Sequence, residues 1–137
     1  LFPTPEPSRA AAGTSHPLQA GEAALLRRCC GARYMRAYAM MLDFFGMQLA
    51  DAATGRVVPR PDGGWRERFA NIERHPHNLL RVTRVLKSLV ALGYPEHAVR
   101  LVDCLAAQVA LGRIGGPDVG AALRDHWMPV RRAAVVA

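Results

Sequence analysis

The stretch His77–Leu92, HNLLRVTRVLKSLVAL, constrains the fold more than any other part of the chain. An α-helix advances about 100° per residue. On that spacing Leu79, Val82, Leu86, Leu89 and Val90 gather on one side, with Val85 at its edge, and His77, Arg81, Arg84 and Ser88 gather on the opposite side. A stripe this apolar is stable only when another element covers it, so the chain must supply further amphipathic partners. The ends of the helix are marked as well. Pro76 disfavours helical geometry at His75, and Asn78 is suited to cap the first turn. Gly93 offers a left-handed stop, and Pro95 prevents easy continuation. With Arg81, Arg84 and Lys87 the stretch carries +3 and no acid. Either acids from elsewhere in the fold meet that face, or it presents a cationic stripe to a partner.

The partners are present. Gly21–Phe45 predicts a long helix whose stripe is Leu26, Cys30, Tyr34, Ala37, Tyr38, Met41, Phe44 and Phe45, ended by Gly46. Gly31 within it marks a break or a close helix contact. Trp65–Arg74 reads as a short helix with Trp65, Phe69 and Ile72 on one side. Glu96–Leu111 reads as another, with Val99, Val102, Leu105, Ala106 and Val109 inward. Val119–Trp127 predicts one more, apolar at Ala122, Leu123 and Trp127 and interrupted by Pro129. Between the first two helices, Met47–Gly64 is rich in turn chemistry (Asp51, Thr54-Gly55, Pro59, Pro61, Asp62-Gly63-Gly64), and Gln48-Leu49 can pair with Arg56-Val57-Val58 as a short hairpin. Leu1–Ala20, with Pro3, Pro5, Pro7 and Pro17, reads as an extended arm whose apolar start docks on the core. The expected fold is all-α: one domain over residues 1–137, a compact bundle of about four to six helices with a Pro-rich arm and one Gly/Pro-rich connection. A chain of 137 residues fits one domain and buries roughly two-thirds of its unfolded surface.

The net charge of +7 and pI near 10.3 suit an acidic partner: a nucleic acid, an acidic protein or an anionic lipid surface. Seventeen of the eighteen basic residues are Arg, however, and with the abundant Ala, Gly and Val this reads as codon bias of a GC-rich genome. Arg count is then a poor measure of phosphate contacts. Three cysteines, two of them adjacent, make no disulfide framework and predict a reducing compartment. No apolar run reaches the eighteen or so residues of a transmembrane span. The chain begins at Leu1 rather than Met and reads as a piece of a longer protein.

Catalytic signatures are sparse. No phosphate-binding loop, nucleophile elbow or paired-His zinc motif occurs, and the carboxylates are scattered singly. His75-Pro76-His77 is a close His pair without a third ligand at motif spacing. Cys29-Cys30 beside Arg28 and Arg33 is more often packing than chemistry. No enzymatic activity and no cofactor or metal are expected. The best functional candidate is the stripe His77, Arg81, Arg84 and Lys87, weighed against Arg stems that merely cover apolar surface. No aromatics interleave with it for base stacking, and no standard DNA-reading element is visible, so nucleic acid is the lesser partner.

Several blocks carry a family resemblance. They are Leu1-Phe2-Pro3; RAYAMMLDFFGMQL, Arg36–Leu49; Asp51 and Thr54-Gly55; Trp65, Arg68 and Phe69; and HNLLRVTRVLKSLVALGY, His77–Tyr94. AVRLVDCLAAQVALGRI, Ala98–Ile114, continues the likeness more weakly, and residues 115–137 depart from it. In order and spacing the chain resembles the conserved N-terminal domain of the opioid growth factor receptor family. The resemblance implies an all-helical, non-transmembrane receptor-like domain that binds a Met-enkephalin-like peptide and restrains growth. It also implies a nuclear or perinuclear location, peripheral on membrane. Enkephalin, Tyr-Gly-Gly-Phe-Met, has two aromatic anchors and both termini charged. A site for it needs an apolar groove, a cation and an acid. Arg81 or Arg84 is the candidate cation, Trp65, Phe69 and Tyr94 the candidate walls, and Glu73 the candidate acid. The alternatives are a helical scaffold for acidic protein or nucleic acid, and an enzyme with a convergent site.

Overall fold

The computed structural model describes residues 2–5 and 19–136; Leu1, Ala137 and the arm over 6–18 lie outside the described residues. Helix α1 spans Ala20–Phe44. Its end is set by Gly46, at φ 84°, whose amide donates to the Asp43 carbonyl at 3.0 Å. A side chain there would be strained by the backbone and would meet Cβ of Arg68 at 2.8 Å, so only glycine closes this corner. The chain then forms a hairpin, β1 (Met47–Asp51) antiparallel to β2 (Arg56–Pro59), with Leu49 opposite Val57 and an irregularity before Asp51. The Asp51 carboxylate accepts the amides of Ala53 (2.9 Å) and Thr54 (3.4 Å), and these bonds hold its carboxyl below the usual range.

Helix α2 (Trp65–Arg74) and helix α3 (His77–Ala91) are separated by His75 in extended geometry. Gly93, at φ 85°, ends α3 with two reverse bonds, Tyr94 N to Leu89 O (2.7 Å) and Gly93 N to Val90 O (3.1 Å). Pro95 opens α4 (Pro95–Ala110). Helix α5 (Pro117–Ala122) runs through a π-helical turn, Leu123–Trp127, directly into α6 (Met128–Val135). The architecture is all-α apart from the hairpin, and α4 is its hub, packing on α3, α6 and β2. Tyr38, Leu42, Phe45, Met47, Phe69, Ile72, Leu86, Leu89, Leu101, Leu105, Ile114 and Trp127 are wholly buried.

Four expectations are corrected. Asn78 does not cap α3. It lies inside the helix, buried, where its amide donates to the Asn71 carbonyl (3.3 Å) and its carbonyl oxygen accepts from Arg81 (3.3 Å), tying α3 to α2. Ser88 is not on a solvated face: it is fully buried and accepts a hydrogen bond from Tyr34. On α4, Val102 and Leu105 are buried as expected and are joined by Ala98, Leu101 and Cys104, whereas Val99, Ala106 and Val109 are only half-buried, because α3, α6, β2 and the π-turn cover different sides of the helix. Pro129 does not interrupt the last helix. It follows the π-turn, in the first turn of α6, where a missing amide hydrogen costs little. That turn carries Trp127 into the core, where its Nε1 donates to Thr83 Oγ1 at 3.0 Å and Thr83 Oγ1 donates back to the Leu79 carbonyl at 3.0 Å.

Candidate functional site

Helices α1 and α3 lie antiparallel, and two contacts fix their pairing. The Tyr34 hydroxyl donates to Ser88 Oγ at 2.8 Å. Ten residues along α1, the Arg81 guanidinium sits 5.9 Å from the Phe44 ring. Between those ends the helical spacing brings Arg84 to the α3 side and Ala37 and Met41 to the α1 side, all half-buried. The seam is therefore apolar on its α1 side and cationic on its α3 side. Arg84 has no acidic partner among the described residues, whereas Lys87 has a partner of its own.

At the Tyr34 end the seam opens into a cleft of about 160 Å³ walled by Leu26, Cys30, Tyr34, Leu92 and Tyr94, with Arg27 and Arg33 at its rim. That is close to the roughly 150 Å³ cavity that admits a benzene ring. The two tyrosine rings are nearly parallel (7°) with centroids 5.8 Å apart. Phe2 meets Tyr34 edge-on at 5.6 Å, and Arg27 covers Tyr94 with its guanidinium carbon 4.6 Å from the ring. Burial pushes the Tyr34 phenol far above its ordinary value, so its hydroxyl stays protonated and donates to Ser88. α1 comes close enough to Tyr94 to form this wall because Gly31 has no side chain: a Cβ there would lie 3.1 Å from the Tyr94 hydroxyl. The glycine marks a close approach, and the helix continues through it.

A second cavity, of about 320 Å³, opens beside Ala39, Asp43, Gln48, Arg60 and Asp62. Ala39 and Ala37 stand about 200° apart around α1, so the two cavities flank opposite sides of the helix. Arg60 bridges Asp43 (3.2 Å) and Asp62 (3.5 Å) there, leaving one carboxylate in excess.

The residues singled out by sequence are dispersed. Arg81 and Arg84 border the seam, and Tyr94 walls the cleft. His77 is exposed, its ring 5.6 Å from that of His75. Trp65 lies between Arg113 (4.6 Å) and Arg66 (5.2 Å). Phe69 has no exposed surface and belongs to the core beneath Trp65. Glu73 accepts the Gly115 amide and so pins the loop after α4. Arg27, Arg33, Tyr34 and Leu92 were not anticipated. Tyr34 belongs to the stripe of α1 and Arg33 adjoins it, and Gly31 was the signal that this stripe meets something closely.

Comparison with known proteins adds the lineage. Residues 1–130 match the opioid growth factor receptor conserved region, sixteen residues further than the blocks visible by eye. Opioid growth factor receptor-like protein 1 of Mus musculus is 49% identical over 70 residues, 51% of this chain and 14% of that protein. The opioid growth factor receptor of Mus musculus is 46% identical over 70 residues, 11% of its length. The opioid growth factor receptor of Homo sapiens is 36% identical over 96 residues, 70% of this chain and 14% of that protein. The chain thus spans a small part of the relatives it matches. No solved structure matches it.

Proposed function

The chain belongs to the opioid growth factor receptor family, and on that premise we propose that it is a non-enzymatic, peptide-binding receptor domain whose ligand lies along the α1–α3 seam. The observation that carries this reading is the cleft beside Tyr34 and Tyr94, with guanidinium groups on both helices. One aromatic side chain fills the cleft, and the peptide backbone continues along Ala37 and Met41. The C-terminal carboxylate meets Arg84, and Arg33 adds positive charge at the rim of the cleft. Such an arrangement follows the usual form of a small-ligand site, mostly apolar with a few placed polar groups. A Met-enkephalin-like pentapeptide has the required aromatic ring and carboxylate. Growth regulation and a nuclear or perinuclear location, peripheral on membrane, are parts of the same proposal, tested by imaging the tagged full-length protein and by proliferation after its depletion.

Calorimetric titration with Tyr-Gly-Gly-Phe-Met tests the site. Arg33→Glu and Arg84→Glu should each weaken binding at least ~10-fold, about 1.4 kcal/mol, while Arg132→Glu on α6 should leave it unchanged. Equal affinity of all three variants refutes the seam as the site. The competing reading, an acidic partner on the α3 face, is favoured by Arg84, which has no acidic partner among the described residues. Three phosphate contacts there would give a log K against log salt slope near −2.7. A slope of that size with duplex DNA, and no heat with peptide, would replace the first reading by the second.

A further inference from the structure

We propose that Cys29 and Cys30 form a dithiol site for a thiophilic trivalent metalloid, of which an aryl arsenical is the representative ligand. The inference does not depend on peptide binding. Its first support is geometric. The two Sγ atoms are 3.1 Å apart, both thiols are free, Cys29 is exposed, and Cys30 walls the cleft beside Tyr34. The Cys29 thiol also points back along the helix, 3.9 Å from the Leu26 carbonyl. Both sulfurs are therefore presented together at one surface point.

The helix keeps the pair reduced. Neighbouring Cα atoms are about 3.8 Å apart, whereas a disulfide needs about 4.4–6.8 Å. Both residues lie in the middle of α1, whose hydrogen bonds fix that spacing. Closing a vicinal disulfide would require unwinding the helix, so the dithiol survives conditions that oxidise exposed pairs elsewhere.

The same geometry selects the ligand. Zinc binds thiolates at about 2.3 Å in tetrahedral sites, which sets its sulfurs about 3.8 Å apart and calls for four ligands. Here the sulfurs are closer, and no cluster of three metal-ligating side chains occurs among the described residues. The hydrogen bond shared with Cys30 also pushes the Cys29 thiol above its ordinary value, which opposes metals that need ready thiolates. A pyramidal arsenic(III) centre has bond angles nearer a right angle and carries its own organic group, so two close sulfurs complete it. The exchange is balanced without redox chemistry. Two As–O bonds of R–As(OH)₂ break and two As–S bonds form. The two thiol protons leave with the two hydroxides as water, and arsenic remains trivalent. The organic group then lies at the mouth of the cleft, against Leu26 and Tyr34, which favours an aryl substituent.

Phenylarsine oxide is the probe. Intact mass should show one phenylarsenic adduct per chain, and titration with a chromogenic disulfide should show two of the three thiols lost. The adduct should resist millimolar 2-mercaptoethanol and be released by 2,3-dimercaptopropanol. Because the second As–S bond is intramolecular, Cys29→Ser and Cys30→Ser should each lower retention at least ~100-fold, and Cys104→Ser should lower it not at all. Loss of a single thiol per adduct, full retention by Cys29→Ser or Cys30→Ser, or a requirement for Cys104 would each overturn the proposal.

Discussion

Replacing Thr83 by Val tests whether one hydroxyl locks the last helices onto α3. Trp127 is fully buried, and its indole nitrogen donates to Thr83 Oγ1 at 3.0 Å. Valine matches the shape of threonine and removes the acceptor, leaving a buried N–H without a partner. That group's desolvation costs about 1–3 kcal/mol. Losing the bond to the Leu79 carbonyl costs little, because the helix already satisfies that carbonyl and such back-bonds are weakly stabilising at best. The net expectation is about 1.5–2 kcal/mol. For a domain of this length each kcal/mol shifts Tm by roughly 3–5 °C, so Thr83→Val should melt about 5–10 °C lower. Trp127→Phe removes the donor and leaves a cavity, and on its own should also destabilise. In that background nothing is orphaned, so Thr83→Val should become nearly neutral. Urea unfolding followed by far-UV circular dichroism on all four proteins gives the interaction energy, expected at about 1–2 kcal/mol. Equal costs of Thr83→Val in both backgrounds would refute the assignment of the hydroxyl as the anchor.

Three further outcomes are expected. Gly46→Ala should cost more than about 2 kcal/mol in urea, since strain at φ 84° adds to a Cβ contact with Arg68 at 2.8 Å, whereas Gly63→Ala, equally left-handed but in open space, should cost only about 1 kcal/mol. Arg131 pairs with Asp103 at 2.6 Å across α6 and α4 at a partly exposed site; Arg131→Ala should lower Tm slightly, and by less in 1 M salt, and a salt-independent loss would assign it to packing instead. Burial pushes the Cys104 thiol up to about 11 from 9.0. Its unfolded form ionises first, so the stability it contributes is complete below pH 9.0 and lost as pH rises toward about 11. Burial holds the phenols of Tyr34 and Tyr38 still higher, with the same sign, so both should ionise, read at 295 nm, only as the fold opens; a stability curve flat across this range in wild type and Cys104→Ser alike contradicts the burial.

What the sequence made legible was whatever depends on neighbours along the chain. Periodicity placed α2 at its observed ends and α1, α3 and α4 within a residue or two, and turn residues located the hairpin. It misplaced what depends on tertiary partners. Ser88 falls on the polar side of α3 by angle, yet a tyrosine hydroxyl from α1 satisfies it and allows it to be buried. Asn78 has the chemistry of a cap, yet its amide bridges to α2 instead. The face of α4 shifted because four elements cover it, a number no single-helix pattern encodes. The C-terminal helices were obscured by Pro129, which reads as a breaker until the π-turn before it is known.

The candidate site failed to show itself for a related reason. A helix projection divides residues into inward and outward sets, but a ligand cleft is built from those in between. Tyr34, Ala37, Arg84 and Tyr94 are all half-buried, and Tyr34, Ala37 and Tyr94 line the cleft. The cationic character of α3 was legible as a run without acids; that α1 lines the other side of the same seam was not. Arg81 shows why the distinction matters. Its guanidinium lies over Phe44 and donates to Asn78, so its charge also has a structural use. Arg84, one turn further on, lacks an acidic partner among the described residues while sitting beside an apolar helix flank. A half-buried guanidinium without a carboxylate carries a desolvation cost that an incoming anion would offset. Arg84→Gln should therefore stabilise the free protein slightly and weaken peptide binding, whereas Arg81→Gln should destabilise the protein and leave binding nearly intact. The opposite pattern in paired melting and calorimetric measurements would assign the ligand to the Arg81 end of the seam.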